Sequence, residues 1–458
     1  MNYVLKYLPQ PRKLEQALST LPTNVEDLYD RVMGQIIGGD DVSKDLAIRT
    51  LSWVYYGAET RLLTMKELRG ALVIEVGDEV LDVRQPLESD IIAVCQSLVV
   101  CDDQTKIVRF THYTVQEYFK HNCKDKLSPR VELAKVCVTY LAFDGFNDGY
   151  APIRFDYDDD LPLWFFDWCL PAFYNYALQY WVYYTKGDGE SDHEMRMALL
   201  RLFNSPQKRA TLLRQEIRRV DYRWWRNENE IDIEKFSSKS TTWMPIHILA
   251  EAGLPTLIKS FWTNSQQAAQ ALEHHELDFG TVHSKDFLGA TALIWAARRG
   301  HADVVKLLLE AGADKEETDE MGTSALCWSV QNGHISVVKL LLKAQVDVNS
   351  SKHAWRMTPL IIALIFGHAE IALLLLTAKA NVQCKDTKLG KGPLWWCLRI
   401  ANSEVVKDEL LKAGADEKNL PFGENLLFRL NFFADVMRHF IVRSMFSTEE
   451  IQNFFKES

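Results

Sequence analysis

The chain has 458 residues and a formal net charge of −10 at pH 7, with 47% hydrophobic and 25% charged residues. This acidic balance excludes, as the default, a strongly basic protein that seeks nucleic-acid phosphates. The length leaves room for about three domains, and the composition is ordinary for a soluble globular chain.

The cysteines and the apolar stretches indicate the cellular compartment of the protein. The 8 cysteines form no C-x-x-C pair, and the N-terminus lacks the apolar core of a signal peptide. No window reaches the ~18 uncharged apolar residues of a membrane helix. These features predict a cytoplasmic protein with reduced cysteines and no membrane span.

The first part of the chain divides into residues 1–20, which are predicted to hold a single helix, and a domain over residues 21–125. Within that domain the hydrophobic pattern predicts three helices and then a β-hairpin, in which S-L-V-V-C and K-I-V-R-F flank D-D-Q-T. Thr64 and Glu67 are spaced as a capping box for the third helix. The apolar face of the first helix is formed by Val25, Leu28, Val32 and Ile36.

Three helices followed by a hairpin are typical of a winged helix. The strings L-P-T-N-V-E-D-L-Y-D-R-V, L-T-M-K-E-L-R-G-A-L, C-Q-S-L-V-V and V-R-F-T-H-Y-T-V-Q-E-Y-F resemble the winged helix that follows the NACHT nucleotide-binding domain in fungal NLR-type (STAND) proteins. This module is also named after GPI inositol-deacylase, an activity that the sequence does not support. The resemblance implies the C-terminal part of such a receptor, with residues 13–21 similar to the last NACHT helix. No G-x-x-x-x-G-K-[ST] loop occurs, so we expect the NTPase to be missing.

A winged helix can read DNA through its third helix, which here covers residues 65–73. Only Lys66 and Arg69 are basic in that helix, and acidic side chains outnumber basic ones over residues 1–125. We therefore expect no nucleic-acid partner. In the proteins that the module resembles, it packs instead against the nucleotide-binding domain and transmits its state.

Residues 126–240 form a predicted α-helical spacer that is rich in aromatic side chains between Leu163 and Tyr184. A helix coated with aromatic rings needs cover, so we interpret it as a core helix joining the winged helix to the next domain. A ligand-binding aromatic surface is the alternative. The basic amphipathic stretch from Lys208 to Arg226 is interpreted as a packed helix with a solvated arginine face, or as a surface for acidic partners, a membrane or RNA.

Residues 241–419 carry internal repeats. Asp286 opens D-F-L-G-A-T-A-L-I-W-A-A-R-R-G-H-A-D-V-V-K-L-L-L-E-A-G-A-D, and Asp319 opens a similar string 33 residues later. These strings resemble the ankyrin repeat, in which Gly300 ends a first helix in a left-handed turn and the second helix is broadly apolar. The copies comprise a degenerate one at 242–285 and others at 286–318, 319–351, 352–385 and 386–419. One repeat cannot bury its own apolar face, so the copies must stack.

The histidines depart from the family pattern. The ankyrin histidine that follows the repeat proline by two residues is present as His247, whereas the later copies carry Ile294, Cys327, Ile361 and Trp395. We therefore expect the later repeats to be held by apolar contacts. His301, His334 and His368 follow the repeat glycines and resemble a structural position of the family.

Residues 420–458 follow the last repeat. We interpret them as a helical cap on the stack, or alternatively as a docking helix for another protein. The predicted fold class is thus mainly α: a winged-helix domain with one β-hairpin, a helical spacer, and an ankyrin α-solenoid with a C-terminal helical cap.

No constellation of residues indicates catalysis, a cofactor or a metal. His112 lies near Glu117 but is placed as a structural residue at a helix start. The acidic run at 156–160 lacks the glycine of a calcium loop, and the histidine pair at 274–275 has no second ligand pair nearby.

The function that the sequence favours is non-enzymatic protein recognition by the ankyrin stack of an NLR-like protein. We expect exposed contact residues on the first helices and hairpins, namely Arg298, Arg299, Asp319, Glu320, Trp328, Gln331, Trp355 and Arg356. One alternative is a regulatory or decoy subunit that docks on a separate NACHT NTPase through the winged helix. The other is a fragment of an ATP-switched NTPase receptor.

Overall fold

The computed structural model describes residues 24–78, 85–143, 172–206, 208–209, 212, 243–262, 278–350, 357–386, 390–398 and 404–415. These residues fall into two compact units that divide after Leu199. Several features predicted from sequence lie outside the described residues. They are the helix at 1–20, the acidic run at 156–160, most of the basic stretch at 208–226, the histidine pair at 274–275, Trp355 with Arg356, and the cap at 420–458.

The first unit is a winged helix extended by further helices. Its helices are α1 (Val25–Ile37), α2 (Asp41–Gly57), α3 (Met65–Leu72), α4 (Glu88–Val94), α5 (Tyr113–Tyr118), α6 (Arg130–Leu141), α7 (Ala172–Thr185), α8 (Asp188–Ser191) and α9 (His193–Asn204), the last of which contains the point of division. Strands β1 (Val99–Cys101) and β2 (Val108–Phe110) lie between α4 and α5.

Local sequence signals fix the starts of the helices. Asn24 caps α1 by accepting a hydrogen bond from the Asp27 amide at 2.7 Å. The predicted capping box of α3 is confirmed, because Thr64 and Glu67 each bond the other's backbone amide. His112 caps α5, as its predicted position at a helix start implies.

The apolar face of α1 is buried only in its second half. Ile36 is buried, but Val25 and Leu28 are 51% and 46% exposed. The predicted apolar face of the helix is therefore covered near its C-terminal end and open to solvent at its first two turns.

The predicted β-hairpin is confirmed. Strands β1 and β2 pair antiparallel, with Val99 opposite Phe110 and Cys101 opposite Val108. The segment before α3 lies along the other edge of β2, where the Val108 amide donates to the Leu63 carbonyl at 2.9 Å. The start of α3 is thereby attached to the hairpin.

The aromatic helix α7 belongs to the same core as the winged helix. The Trp53 ring of α2 lies edge-on to Phe173, Tyr176 and Tyr184, with centroid distances of 5.4, 6.0 and 5.8 Å. The Tyr176 and Tyr184 hydroxyls are hydrogen-bonded at 2.6 Å inside this cluster. The boundary that the sequence places between residues 125 and 126 therefore falls inside one compact unit.

The second unit is a stack of helical hairpins. First helices are α10 (Pro245–Ala252), α11 (Ala292–Arg299), α13 (Ala325–Gln331), α15 (Pro359–Ile365) and α17 (Pro393–Trp396). Second helices are the helix at 255–262, α12 (Ala302–Glu310), α14 (Ile335–Lys343), α16 (Ala369–Thr377) and α18 (Glu404–Lys412). The predicted fold class, a mainly helical chain with one small hairpin and an α-solenoid, is confirmed for the described residues.

Candidate protein-binding site

An aspartate ties down the hairpin before three of the first helices, α11, α13 and α17. Asp286 accepts hydrogen bonds from the Leu288 and Ala290 amides, both at 2.9 Å, and from the indole Nε1 of Trp295 at 2.7 Å. Burial raises the pKa of Asp286 to about 6, and the donated hydrogen bonds oppose that shift. The carboxylate thus joins the hairpin to α11.

The same arrangement recurs in other repeats. Asp319 accepts from the Met321 and Thr323 amides and from Trp328 Nε1, all at 2.9 Å. Asp386 receives the Trp396 indole at 3.2 Å. Asp319, predicted from the sequence to be a contact residue, therefore also holds its own hairpin in place.

Arg298 lies between two indole rings. Its guanidinium carbon is 5.2 Å from the ring centroid of Trp295 and 4.7 Å from that of Trp328, in the next repeat. Burial lowers the pKa of Arg298, and the carboxylates of Glu251, Asp319 and Asp286 act against that shift. Arg298 therefore bridges two repeats.

Two of the proposed contact residues are buried, and three more, Arg298, Arg299 and Asp319, are only partly exposed. Trp328 is 4% exposed and Gln331 is 3% exposed. The expectation of exposure is wrong for both, because contacts with neighbouring repeats involve these positions. Arg298 covers the indole of Trp328, and the Gln331 carbonyl accepts a hydrogen bond from His368 of the following repeat at 3.0 Å.

The remaining described candidates lie at junctions between repeats. Arg299 forms an ion pair with Glu251 of the preceding repeat at 2.8 Å, with both side chains largely buried. Glu320 is exposed, and its amide donates to the Leu288 carbonyl of the preceding hairpin at 2.9 Å. Successive hairpin tips are thus bonded to each other, and Glu320 presents its carboxylate on this tip.

The histidines that the sequence marks as structural bond one repeat to the next. The Nε2 atoms of His301, His334 and His368 donate to carbonyls of the preceding first helix, at 2.9, 2.9 and 3.0 Å. The acceptors are Glu251, Arg298 and Gln331. The expectation that the later repeats are held by apolar contacts is therefore incomplete, since these hydrogen bonds join them as well. The recurring Gly-His dipeptide was the signal for this bond.

The helix that a winged helix would insert into DNA is packed inside the first unit. Leu68 and Ala71 of α3 are fully buried. Gly70 lies against Phe173 of α7, so that a Cβ at Gly70 would stand 3.0 Å from Phe173 Cβ. This face of α3 is therefore not open to a DNA groove.

The exposed apolar side chains of the first unit lie elsewhere. Val25 and Leu28 project from α1, and Tyr113 at the start of α5 is 72% exposed. The Tyr29 hydroxyl is 2.7 Å from Thr114 Oγ1, which joins α1 to α5. Further exposed apolar side chains of this domain are Val42 and Leu87, at 78% and 61% exposure.

The described residues contain no group of three or more histidine, cysteine or acidic side chains placed to hold a metal ion. In the same part of the chain, no helix is long and apolar enough to cross a membrane. His121, rather than His112, lies close to Glu117, at 3.3 Å on the protein surface.

Comparisons with known proteins agree with both units. Residues 33–129 match the family model of the GPI inositol-deacylase winged helix domain. Residues 246–352 match the model of ankyrin repeats in 3 copies, and residues 355–387 match a further single ankyrin repeat. The chain therefore combines a winged-helix domain of this type with ankyrin repeats, which are non-catalytic interaction modules.

Two curated relatives are similar over the repeats. Ankyrin repeat and SOCS box protein 3 from Bos taurus is 41% identical over 144 residues, which are 31% of this chain and 25% of that protein. The Homo sapiens protein of the same name is 42% identical over 144 residues, 31% of this chain and 26% of that protein. The chain thus spans about a quarter of the length of these relatives. The ankyrin repeats define a module for binding protein partners.

Proposed function

We propose that the chain is the non-enzymatic recognition part of an NLR-like (STAND) signalling or self/non-self recognition protein, working in the cytoplasm. Its ankyrin stack captures a protein partner. The observation that carries the proposal is the tethering of the hairpins by Asp286, Asp319 and Asp386. Hairpin tips held in a fixed row lose little conformational entropy when a partner binds.

The contact residues that we propose on this surface are Glu320, Trp355 and Arg356, with Arg298, Arg299 and Asp319 supporting the surface from within the stack. Tryptophan and arginine are favoured at the centres of protein interfaces because they bury large areas and make directed polar contacts. Glu320 adds an exposed carboxylate on its own hairpin tip.

The test is capture of host proteins by the full chain and by a Trp355→Ala/Arg356→Ala variant. We expect the variant to retain less than about a tenth of the captured partner, since loss of two central contacts costs roughly 2 kcal/mol or more. A Lys306→Ala/Lys339→Ala variant, altered on the exposed positions of α12 and α14, is the matched control. Equal capture by all three proteins contradicts the proposal.

A second candidate function is docking on a separate NACHT NTPase through the winged helix, in a regulatory or decoy subunit. It is favoured by the exposed Val25, Leu28 and Tyr113, because exposed apolar groups mark interaction surfaces. A Val25→Ser/Leu28→Ser variant separates the two functions: it loses the partner only if the winged helix carries the contact. An in-frame P-loop upstream in the genomic sequence would instead identify an ATP-switched NTPase receptor.

A further inference from the structure

Two neighbouring hairpin tips carry matched apolar side chains. Tip 1 covers residues 287–289 and tip 2 covers residues 320–322, one repeat later. Leu288 and Met321 occupy the same place on the two tips, and each is partly exposed. The Glu320 amide donates to the Leu288 carbonyl at 2.9 Å, which holds the two tips side by side. The two apolar side chains therefore belong to one continuous surface.

Each tip is fixed by the carboxylate beneath it. The Leu288 amide donates to Asp286 at 2.9 Å, and the Met321 amide donates to Asp319 at the same distance. The tips also touch each other, since a Cβ at Gly289 would stand 3.0 Å from the first amide nitrogen of tip 2. The backbone that carries the apolar pair is therefore held from below and from the side.

A ladder of contacts joins the two carboxylates. Asp286 accepts the Trp295 indole at 2.7 Å, and Asp319 accepts the Trp328 indole at 2.9 Å. The Arg298 guanidinium lies between these rings, 5.2 and 4.7 Å from their centroids. A cation at this distance is attracted to the faces of both rings. Arg298 therefore couples the position of tip 1 to the position of tip 2.

The ladder ends at the second of these repeats. In the register of the next repeat, Gln331 takes the place of Arg298, and Ile362 takes the place of Trp328. A neutral amide carries no cation, and an aliphatic side chain offers no aromatic face, so the same contacts cannot form there. Within the described part of the stack, this coupling is therefore specific to tips 1 and 2.

The charge around the tips indicates the chemistry of a partner. Residues 314–320 read D-K-E-E-T-D-E, in which acidic side chains outnumber basic ones. Lys315 bonds a carbonyl of the following repeat, and Lys285 pairs with Glu317 at 2.5 Å. Glu320 is exposed, and none of the described side chains donates to its carboxylate. A basic side chain of a partner would complement this charge.

We propose that tips 1 and 2 form one rigid docking platform for a basic segment of a partner protein. An apolar side chain of that segment packs on Leu288 and Met321, and a neighbouring lysine or arginine pairs with Glu320. Because the ladder fixes the tips before binding, little ordering is left for the partner to impose. This inference rests on the proposed function and deepens it, since it assigns the docking site and the class of partner.

Hydrogen exchange of the full chain tests whether the two tips are coupled. The amides of Leu288 and Met321 report the tips, because each bonds the carboxylate beneath it. We expect Arg298→Met to speed exchange at both tips about threefold to tenfold, as loss of a cation–π contact implies. Arg298→Lys keeps the charge and should give a smaller rise. Lys306→Met, at an exposed position of α12, is the control and should leave both tips unchanged.

Two results of this experiment overturn the platform. One is faster exchange at a single tip or at neither tip in Arg298→Met. The other is an equal rise in Lys306→Met. Neither result involves a partner, so failure of the platform is distinguishable from failure of the proposed function.

Photo-crosslinking tests the chemistry of the partner. The full chain is produced with photo-methionine, irradiated in an extract of the native cells, and the peptides joined to Met321 are sequenced by mass spectrometry. We expect these peptides to carry lysine or arginine next to the crosslinked side chain. Glu320→Lys reverses the charge at the platform and should reduce the crosslink about tenfold. Glu310→Lys makes the same change at an exposed position of α12 and is the matched control.

The outcomes separate the docking site from the wider function. A crosslink that survives Glu320→Lys, or joined peptides without a basic side chain, overturns the proposed docking chemistry. Capture of a partner without any crosslink at Met321 overturns the docking site but leaves recognition by the stack in place. If no protein is captured at all, the proposed function fails together with this inference.

Discussion

Gly300 lies against the imidazole of His334, the residue that fastens the next repeat. Gly300 has a φ of 79°, and a Cβ there would stand 2.6 Å from His334 Nδ1. The glycine therefore meets two demands at once: it ends α11 in the left-handed conformation, and it leaves room for the histidine whose Nε2 bonds the Arg298 carbonyl.

These two demands can be separated by substitution. We expect Gly300→Ala to lower the free energy of unfolding by about 2 kcal/mol or more, since it adds a steric clash to the cost of a left-handed alanine. Gly367→Ala has the same backbone conformation, with a φ of 71°, and none of the described residues lies within 4 Å of the added Cβ. It should cost only about 1 kcal/mol.

The measurement is urea unfolding followed by pulsed hydrogen exchange in peptides from α14. Equal losses of stability in the two variants would show that the contact with His334 adds nothing to the cost of the backbone conformation.

The bond between Trp328 and Asp319 is expected to be a stabilising pair. A Trp328→Phe variant keeps the ring but loses the indole donor, and Asp319→Asn weakens the acceptor. We expect a double-mutant cycle to give a coupling energy of roughly 1–2 kcal/mol, because the acceptor is charged. Trp396→Phe with Asp319→Asn is the control, because Trp396 bonds Asp386 instead. A coupling no larger than in this control would contradict a stabilising role.

Much of this architecture follows from local sequence signals. The capping box at Thr64 and Glu67 and the left-handed turn at Gly300 are set by residues close in the chain, so the sequence predicts them. The burial of Trp328 depends on Arg298, 30 positions earlier in the sequence and one repeat away. The acceptor of His334 likewise belongs to the preceding repeat. Such contacts depend on the register between repeats, which the pattern of a single repeat does not specify.

His247 makes the stability of the stack depend on pH. Its Nδ1 accepts from the Met244 amide at 3.1 Å and its Nε2 donates to the Ser284 carbonyl at 2.9 Å, so the ring is neutral in the folded chain. Burial lowers the pKa of His247 from 6.5 to about 4. The unfolded chain therefore binds a proton first as the pH falls below 6.5, and stability is lost between pH 6.5 and 4.

The contribution of His247 is isolated by comparing the wild type with His247→Gln. We expect the stability advantage of the wild type to shrink by about 2 kcal/mol between pH 7 and pH 5. The raised pKa of Asp286 acts in the opposite direction, but it is present in both proteins and cancels in the difference. His283→Gln, at an exposed position, should leave the pH dependence as in the wild type. A pH-independent difference for His247→Gln would rule out this linkage.

The position of Phe173 predicts that the aromatic helix is essential to the winged-helix unit. Phe173 is 1% exposed and lies against Gly70 of α3 and the ring of Trp53. Phe173→Ala removes a ring from this core, so we expect a loss of about 3–5 kcal/mol in the unfolding free energy of the first unit. Pulsed hydrogen exchange in urea, read in peptides from α6, measures this loss of unfolding free energy.

The control is Tyr113→Ala, which removes an exposed aromatic ring of the same unit. It should change the unfolding free energy by less than about 0.5 kcal/mol. If Phe173→Ala is equally mild, α7 is an accessory to this core, and the winged helix folds without it.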